Sequence, residues 1–252
     1  MQREMPYRVL VPQELKDPHE KLPVLYLLHG LFGCCDNWLE LTNIVDYTAG
    51  RGYVIVMPEG GDGWYTDSGS VERDKYESYF TNELIPEIEG RFPVSTERAK
   101  RGIAGLSMGG YGAFKFALKQ PNRFFFAGSM SGAFEAPHRT EAAPGFDWEI
   151  LGPSVIRAFG EQGSARRKSG DVLRSINETD GDLPYFYLGC GVEDGFLPVN
   201  RLVSRLLKQK GIRHEFHEGP GGHGWSYWDA QLAHMLEVFE EKLSLDIAPE
   251  EA

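Results

Sequence analysis

The chain has 252 residues, enough for one large α/β domain or two small ones, and its 41% hydrophobic and 12% aromatic content is too rich for disorder. With 26 Lys and Arg against 37 Asp and Glu, its formal net charge of −11 repels phosphate backbones and anionic lipid, which argues against nucleic-acid and membrane partners. No apolar run approaches the roughly 20 residues of a bilayer span, the opening MQREMPYRVLVPQEL lacks a leader's apolar core, and three cysteines cannot build a disulfide framework, so a reduced, cytoplasmic protein is expected.

In chain order, Tyr7 to Val11 (YRVLV) and Val24 to Leu28 (VLYLL) read as opening strands separated by a turn carrying Pro, Lys and Asp. The pattern then predicts a helix over Leu39 to Ala49, a strand over Tyr53 to Met57, a helix over Lys75 to Arg91, a strand over Ile103 to Gly105 and a helix over Gly109 to Lys119. Strands at Phe124 to Ser129, Tyr185 to Leu188 and His214 to His217 follow, with helices at Asn200 to Lys210 and Ser226 to Leu243. Mostly apolar strands with helices between them imply a mostly parallel sheet covered on both faces. No linker, repeat or low-complexity tract divides the chain, so residues 1–252 are read as one domain. The alternation fails between Gly132 and Asp182, and about 133–182 is read as an insertion over the carboxyl ends of the strands, where open α/β sheets bind ligands. A plain surface excursion is the alternative.

The stretch GIAGLSMGGYGAFKFAL, Gly102 to Leu118, passes from strand through sharp turn to helix with Ser107 at the bend. A nucleophile at a strand tip must leave the strand abruptly, and Gly105 and Gly109, two places to either side, let strand and helix approach without side-chain collision. The helix also directs its N-terminal amides at that point. A G-x-S-x-G pattern alone is a modest signal, and a structural serine in a glycine-rich turn is the bland alternative; the strand before it and the helix after it favour the nucleophile.

A serine hydroxyl needs a base, and the base a carboxylate. Of seven histidines, His223 in EGPGGHGWSYW lies in a glycine-rich loop after the last strand, late in the chain as the order Ser, Asp, His requires. His19 and His138 lie in polar turns, His214 and His217 at a strand, His234 on an amphipathic helix, and His29 reads as the brace of a loop. Asp194, just beyond YFYLGCG, supplies the acid with Glu193 as the fallback, whereas Asp180 and Asp182 fall at the wrong end of that strand. A loop histidine packed by Trp225 and a loop-capping aspartate are the competing readings. For the oxyanion, Met108 offers the amide after the nucleophile, and Leu31 in LLHGLFGCCDNW offers the second, with Gly30 and Gly33 permitting the tight path. Cys34 and Cys35 line the pocket or only pack, and Trp64 and Tyr65 in GWYTDS either contact substrate or pack. Nothing in the spacing demands a metal or cofactor.

The segments PVLYLLHGLFGCCDNW, VIVMPEGGDGWYTDS, YESYFTNELIPEIEGRFPV, AGLSMGGYGAFKFALKQPNRF, LPYFYLGCGVEDGFLPVNRLVSRLLKQKGI and GGHGWSYWDAQL run in one order nearly end to end. Together they resemble the putative-esterase family of α/β hydrolases, which includes S-formylglutathione hydrolase, tributyrin, feruloyl and acetylxylan esterases and the mycolyltransferases. The resemblance implies an α/β-hydrolase fold with Ser107, Asp194 and His223 as triad and Leu31 and Met108 as oxyanion donors. It is closer to tributyrin and feruloyl esterases, because S-formylglutathione hydrolase usually lacks the pair that is His29-Gly30 here. The expected activity is a serine carboxylesterase acting on a small-molecule ester with a short acyl or feruloyl-like aryl group, without cofactor. A thioesterase, an acyltransferase and a catalytically silent binding module are the alternatives, the last of which would have lost a triad member. The sequence leaves a homo-oligomer open.

Overall fold

The computed structural model describes residues 1, 3–13, 20–143 and 146–247, with side chains through residue 245. His19 and most of the turn expected between the first two strands lie outside the described residues. Strand β1 (Tyr7–Leu10) leads to β2 (Val24–Leu28), followed by the short helices α1 (Asn37–Leu41) and α2 (Ile44–Thr48) and by β3 (Val54–Pro58). Next come α3 (Tyr76–Tyr79), a π-helical turn (Phe80–Leu84), α4 (Ile85–Arg91), β4 (Arg101–Leu106), α5 (Met108–Lys119) and β5 (Phe126–Met130). Helices α6 (Trp148–Phe159), α7 (Ala165–Ser169) and α8 (Val172–Glu178) precede β6 (Tyr185–Gly191), α9 (Leu197–Gln209), β7 (His214–Gly219) and α10 (Trp225–Ile247). Among the described residues no helix is long and apolar enough to cross a membrane.

Among the described residues seven strands form one sheet in the order β1-β3-β2-β4-β5-β6-β7. Only β1 runs antiparallel to its neighbour, β3; the other pairs are parallel. Because side chains alternate across a strand, continuously apolar strands feed two cores. Along β2, Tyr26 and Leu28 join the core beneath α5, α8 and α9, while Leu25 and Leu27 join the one beneath α1, α2 and α10.

The structure departs from the expected elements where local chemistry interrupts a periodic pattern. The helix expected over Leu39 to Ala49 is two, because Thr42 is extended (φ −138°, ψ 168°). Asp229 of α10 accepts from the backbone and side-chain amides of Asn43 at 2.8 and 2.7 Å, drawing the break toward the terminal helix. The stretch Lys75 to Arg91 is helical but widens into the π turn just before Pro86. A proline at that point removes one helical hydrogen bond and crowds the carbonyl four residues back, which the wider turn relieves. The strand expected from Phe124 begins at Phe126 and ends at Met130. Among the described residues, the irregular stretch after Gly132 holds three α-helices and a 3-10 turn at Ala136–His138: Asp147 caps α6 by accepting from Glu149 and Ile150, and Ser164 and Asp171 cap α7 and α8.

Candidate active site

Ser107 stands between β4 and α5 with φ 53° and ψ −115°, a left-handed conformation that costs a non-glycine residue energy and is retained where its surroundings fix it. Its N–H donates to Met130 at 2.9 Å, and its carbonyl accepts from Tyr111 at 3.0 Å and from Ala133 at 3.2 Å. The flanking glycines are sterically required. A Cβ on Gly109 would stand 2.4 Å from the Leu28 carbonyl oxygen, and one on Gly105 would stand 2.6 Å from the Gly109 carbonyl carbon.

The hydroxyl of Ser107 is 3.0 Å from His223 Nε2, and His223 Nδ1 is 2.9 Å from Asp194 Oδ2. Since an ionised carboxylate only accepts, the geometry assigns the proton to Nδ1 and leaves Nε2 free to accept from the serine. The His223 ring is held edge-on against Trp228, with centroids 4.8 Å apart, and lies tilted against Phe196 at 4.9 Å. The Asp194 side chain is 0% exposed. Burial pushes its carboxyl pKa up, but the His223 bond and charge, the Phe196 N–H and the Ser131 hydroxyl outweigh this and hold it below the usual carboxylate value. Glu193, the fallback acid, is exposed. His138, His214, His217 and His234 make other partnerships. Such an arrangement can deprotonate a serine and stabilise the resulting imidazolium.

Leu31 and Met108 are the first residue after the His29-Gly30 pair and the first residue of α5. As the opening residue of a helix, Met108 has an N–H without an intrahelical partner; among the described residues no backbone carbonyl outside helices and strands accepts from Leu31. A Cβ on Gly30 would meet Leu106 Cδ1 at 2.6 Å and Ser107 Cβ at 3.5 Å, so the backbone here runs close beside Ser107 and any side chain would displace Leu106. His29 is fully buried and serves as a brace, with Nδ1 2.7 Å from the Gly30 carbonyl and Nε2 accepting from the Gly60 N–H at 2.8 Å.

A cavity of about 360 Å³ opens above Ser107. Its walls are mostly apolar, with Leu31, Phe32, Leu41, Trp64, Leu151, Phe196, Trp225 and Trp228 among them. Of the two aromatic residues expected near substrate, Trp64 lines this cavity and donates from Nε1 to Ser154 of α6 at 2.9 Å. Tyr65 is buried behind it, its hydroxyl donating to the His29 carbonyl at 3.0 Å, and does not reach the cavity. Cys34 and Cys35 are free thiols that do not line it either. Ala133 and, from helix α6, Leu151 stand at the wall, so the described part of the 133–182 segment touches the cavity through these two residues and packs elsewhere through α8 on α5 and α9.

Sequence reasoning passed over Ser131, Phe196 and Leu151. Ser131 has φ 53°, donates its N–H to Gly189 at 2.7 Å and accepts from Trp228 Nε1 at 3.2 Å, so it ties the strand ends beneath Asp194 together. The only sequence signal was a small polar residue just past a strand.

Comparison with known proteins gives a consistent picture. The family model described as putative esterase matches residues 1–239. The chain is 32% identical over 225 residues to the acetyl esterase of Caldicellulosiruptor saccharolyticus, covering 86% of this chain and 83% of that protein. It is also 32% identical over 238 residues to esterase Rv1288 of Mycobacterium tuberculosis, covering 85% of this chain but 51% of that protein, so it spans about half of that relative. Among solved structures, the fluorophosphonate-binding serine hydrolase F of Staphylococcus aureus superposes with a TM-score of 0.80 at 24% identity, covering 92% of this chain and 91% of that one. That likeness establishes the α/β-hydrolase fold, with its mostly parallel sheet between two helical layers.

Proposed function

Because the chain belongs to the putative esterase family, we propose that it hydrolyses short-chain acyl esters through an acyl-serine intermediate on Ser107. The observation that carries this reading is the unbroken hydrogen-bonded line from Ser107 Oγ through both nitrogens of His223 to the buried Asp194. His223 takes the serine proton as Oγ attacks the ester carbonyl, and Asp194 stabilises the imidazolium. The amides of Leu31 and Met108 receive the oxyanion. His223 then protonates the departing alcohol and activates water for deacylation, so ester and water become acid and alcohol with the enzyme regenerated.

The size and polarity of the cavity support a small substrate. A volume of about 360 Å³ sits at the small end of the roughly 300–1,000 Å³ of ligand pockets. The curated relative named an acetyl esterase points the same way, and Trp64 is the wall against which an acyl or aryl group would pack. Three free thiols support a reducing compartment such as the cytoplasm.

The test is hydrolysis of p-nitrophenyl acetate, butyrate and octanoate by the wild type and by Ser107→Ala. Loss of about 10⁴-fold or more in kcat by a folded variant is the expected result. Equal weak rates for the two proteins would overturn the assignment and bring forward a non-catalytic binding role.

A further inference from the structure

Lys115 lies on α5 seven residues beyond Met108, roughly two helical turns along the same helix, yet it is only 2% exposed. An ammonium has three donors, and this one has three acceptors: the Tyr65 carbonyl, Thr66 Oγ1 at 2.9 Å and Glu77 Oε2 at 2.8 Å. Glu77 of α3 also accepts from Lys119 at 2.8 Å. The other charged group facing the site is Asp67, whose carboxylate is taken up by the amide and hydroxyl of Ser78 at 2.9 and 2.6 Å. A buried ion pair is a poor way to gain stability, because an apolar residue of the same volume often serves better.

The segment that Lys115 grips in turn holds the loop containing Leu31. The Tyr65 ring lies so close to α5 that a Cβ on Gly112 would approach it to 2.7 Å, and its hydroxyl donates to His29. Phe32 donates its N–H to Asp62 at 2.8 Å and Cys35 to Glu59 at 3.2 Å, while Gly60 donates to the His29 ring. Trp64 and Tyr65 both occupy left-handed backbone, φ 51° and 49°, which consecutive non-glycine residues hold only when fixed from outside. The Lys115 bonds to Tyr65 and Thr66 share that fixation with the bonds of Trp64 to Ser154 and of Tyr65 to His29.

We infer that Lys115 is a positioning residue that sets the place of the Leu31 amide relative to Ser107 and Met108, acting through Tyr65 and His29. The inference rests on the serine-esterase reading. Burial draws the Lys115 pKa down to about 8, against the pull of Glu77, so the anchor is lost within an accessible pH range.

The experiment compares wild type, K115M, Y65F and the double variant on p-nitrophenyl acetate, with Ser107→Ala as control. Misplacing one oxyanion donor lowers kcat by about tenfold or more in K115M, with KM within about twofold; the thermal midpoint falls as well, because one partner of a buried pair is removed, so activity is read well below it. Y65F shows a smaller loss, and the double variant is no slower than K115M, because both changes cut one chain. Wild-type kcat declines as pH rises through about 8, a limb absent from K115M. If K115M does not fold, K115R and Y65F carry the test: arginine keeps its proton and shifts the limb upward, and Y65F lowers kcat. Wild-type kcat in K115M, multiplying defects in the double variant, or an unmoved limb in K115R overturns the inference. If Ser107→Ala matches the wild type, it is the esterase reading that fails instead.

Discussion

Oδ2 of Asp194 faces His223 Nδ1 at 2.9 Å while Oδ1 of the same carboxylate accepts the Phe196 N–H at 2.8 Å. This two-sided arrangement makes Asp194→Asn informative. The amide oxygen is claimed by the Phe196 donor, so the NH₂ turns toward Nδ1, which must then accept, and the ring proton moves to Nε2, against the serine. We predict a kcat loss of about 10³- to 10⁴-fold with KM little changed. Glu193→Gln, at an exposed position beside it, stays within about twofold. Comparable losses in both variants would reject Asp194 as the acid.

The turn around Ser107 makes a prediction about stability. A Cβ on Gly109 would lie 2.4 Å from the Leu28 carbonyl oxygen, a backbone atom that can move only with its strand. Gly109→Ala is expected to cost about 3 kcal/mol or more, lowering the thermal midpoint by roughly 6–12 °C. Gly90, exposed on α4 with nothing within 4 Å of an added Cβ, is the control. Its alanine variant should gain about 0.5–1 kcal/mol from helix propensity. Calorimetry of the two variants checks both signs, and a stable Gly109→Ala would show that the turn has room to spare.

The contrast between these glycines also shows what the sequence can convey. The run GLSMG states its own geometry, because the restriction is local and only glycine satisfies it at Gly105 and Gly109. Strands β2 and β3 were equally legible, since burial on both faces demands an unbroken apolar run. The break at Thr42 and Asn43 was not, because the group that holds Asn43 there is Asp229 on the far terminal helix. Likewise Tyr65 and Trp64 are neighbours of like chemistry and equally buried, and it is the packing of Tyr65 on α5 at Gly112 that leaves Trp64 rather than Tyr65 at the cavity. Lys115 carries no motif at all; its burial follows from the packing of three separate segments.

Leu151 is the point where α6 reaches the cavity wall. Leu151→Ala enlarges the acyl space from the side of the 133–182 segment, and because the residue is only partly buried the fold should tolerate the change. We predict that the ratio of kcat/KM for p-nitrophenyl octanoate to that for the acetate rises by about tenfold, the scale set by a few methylenes in an apolar pocket. An unchanged ratio would mean that the segment packs beside the site without shaping it.

His138 and Asp171 connect the start of that segment to α8, with Nε2 and Oδ1 2.9 Å apart. The bond to Asp171 raises the His138 pKa above its ordinary 6.5 despite the opposing effect of burial. For Asp171, burial pushes the pKa up, but the His138 bond and the Arg174 N–H outweigh it and the net shift is below 3.8. A raised histidine contributes stability that is complete below its unfolded value and disappears as pH climbs through the folded one. A lowered aspartate contributes stability that is complete above its unfolded value and disappears as pH falls through the folded one. The pair therefore stabilises the fold in a window bounded below by Asp171 and above by His138. The difference in thermal midpoint between wild type and His138→Gln should be largest near about pH 5.5 and shrink toward about pH 9. Ester hydrolysis at fixed pH should change little, because neither residue lines the cavity. A midpoint difference that grows with pH would show that the imidazole stabilises the segment through packing rather than through its charge.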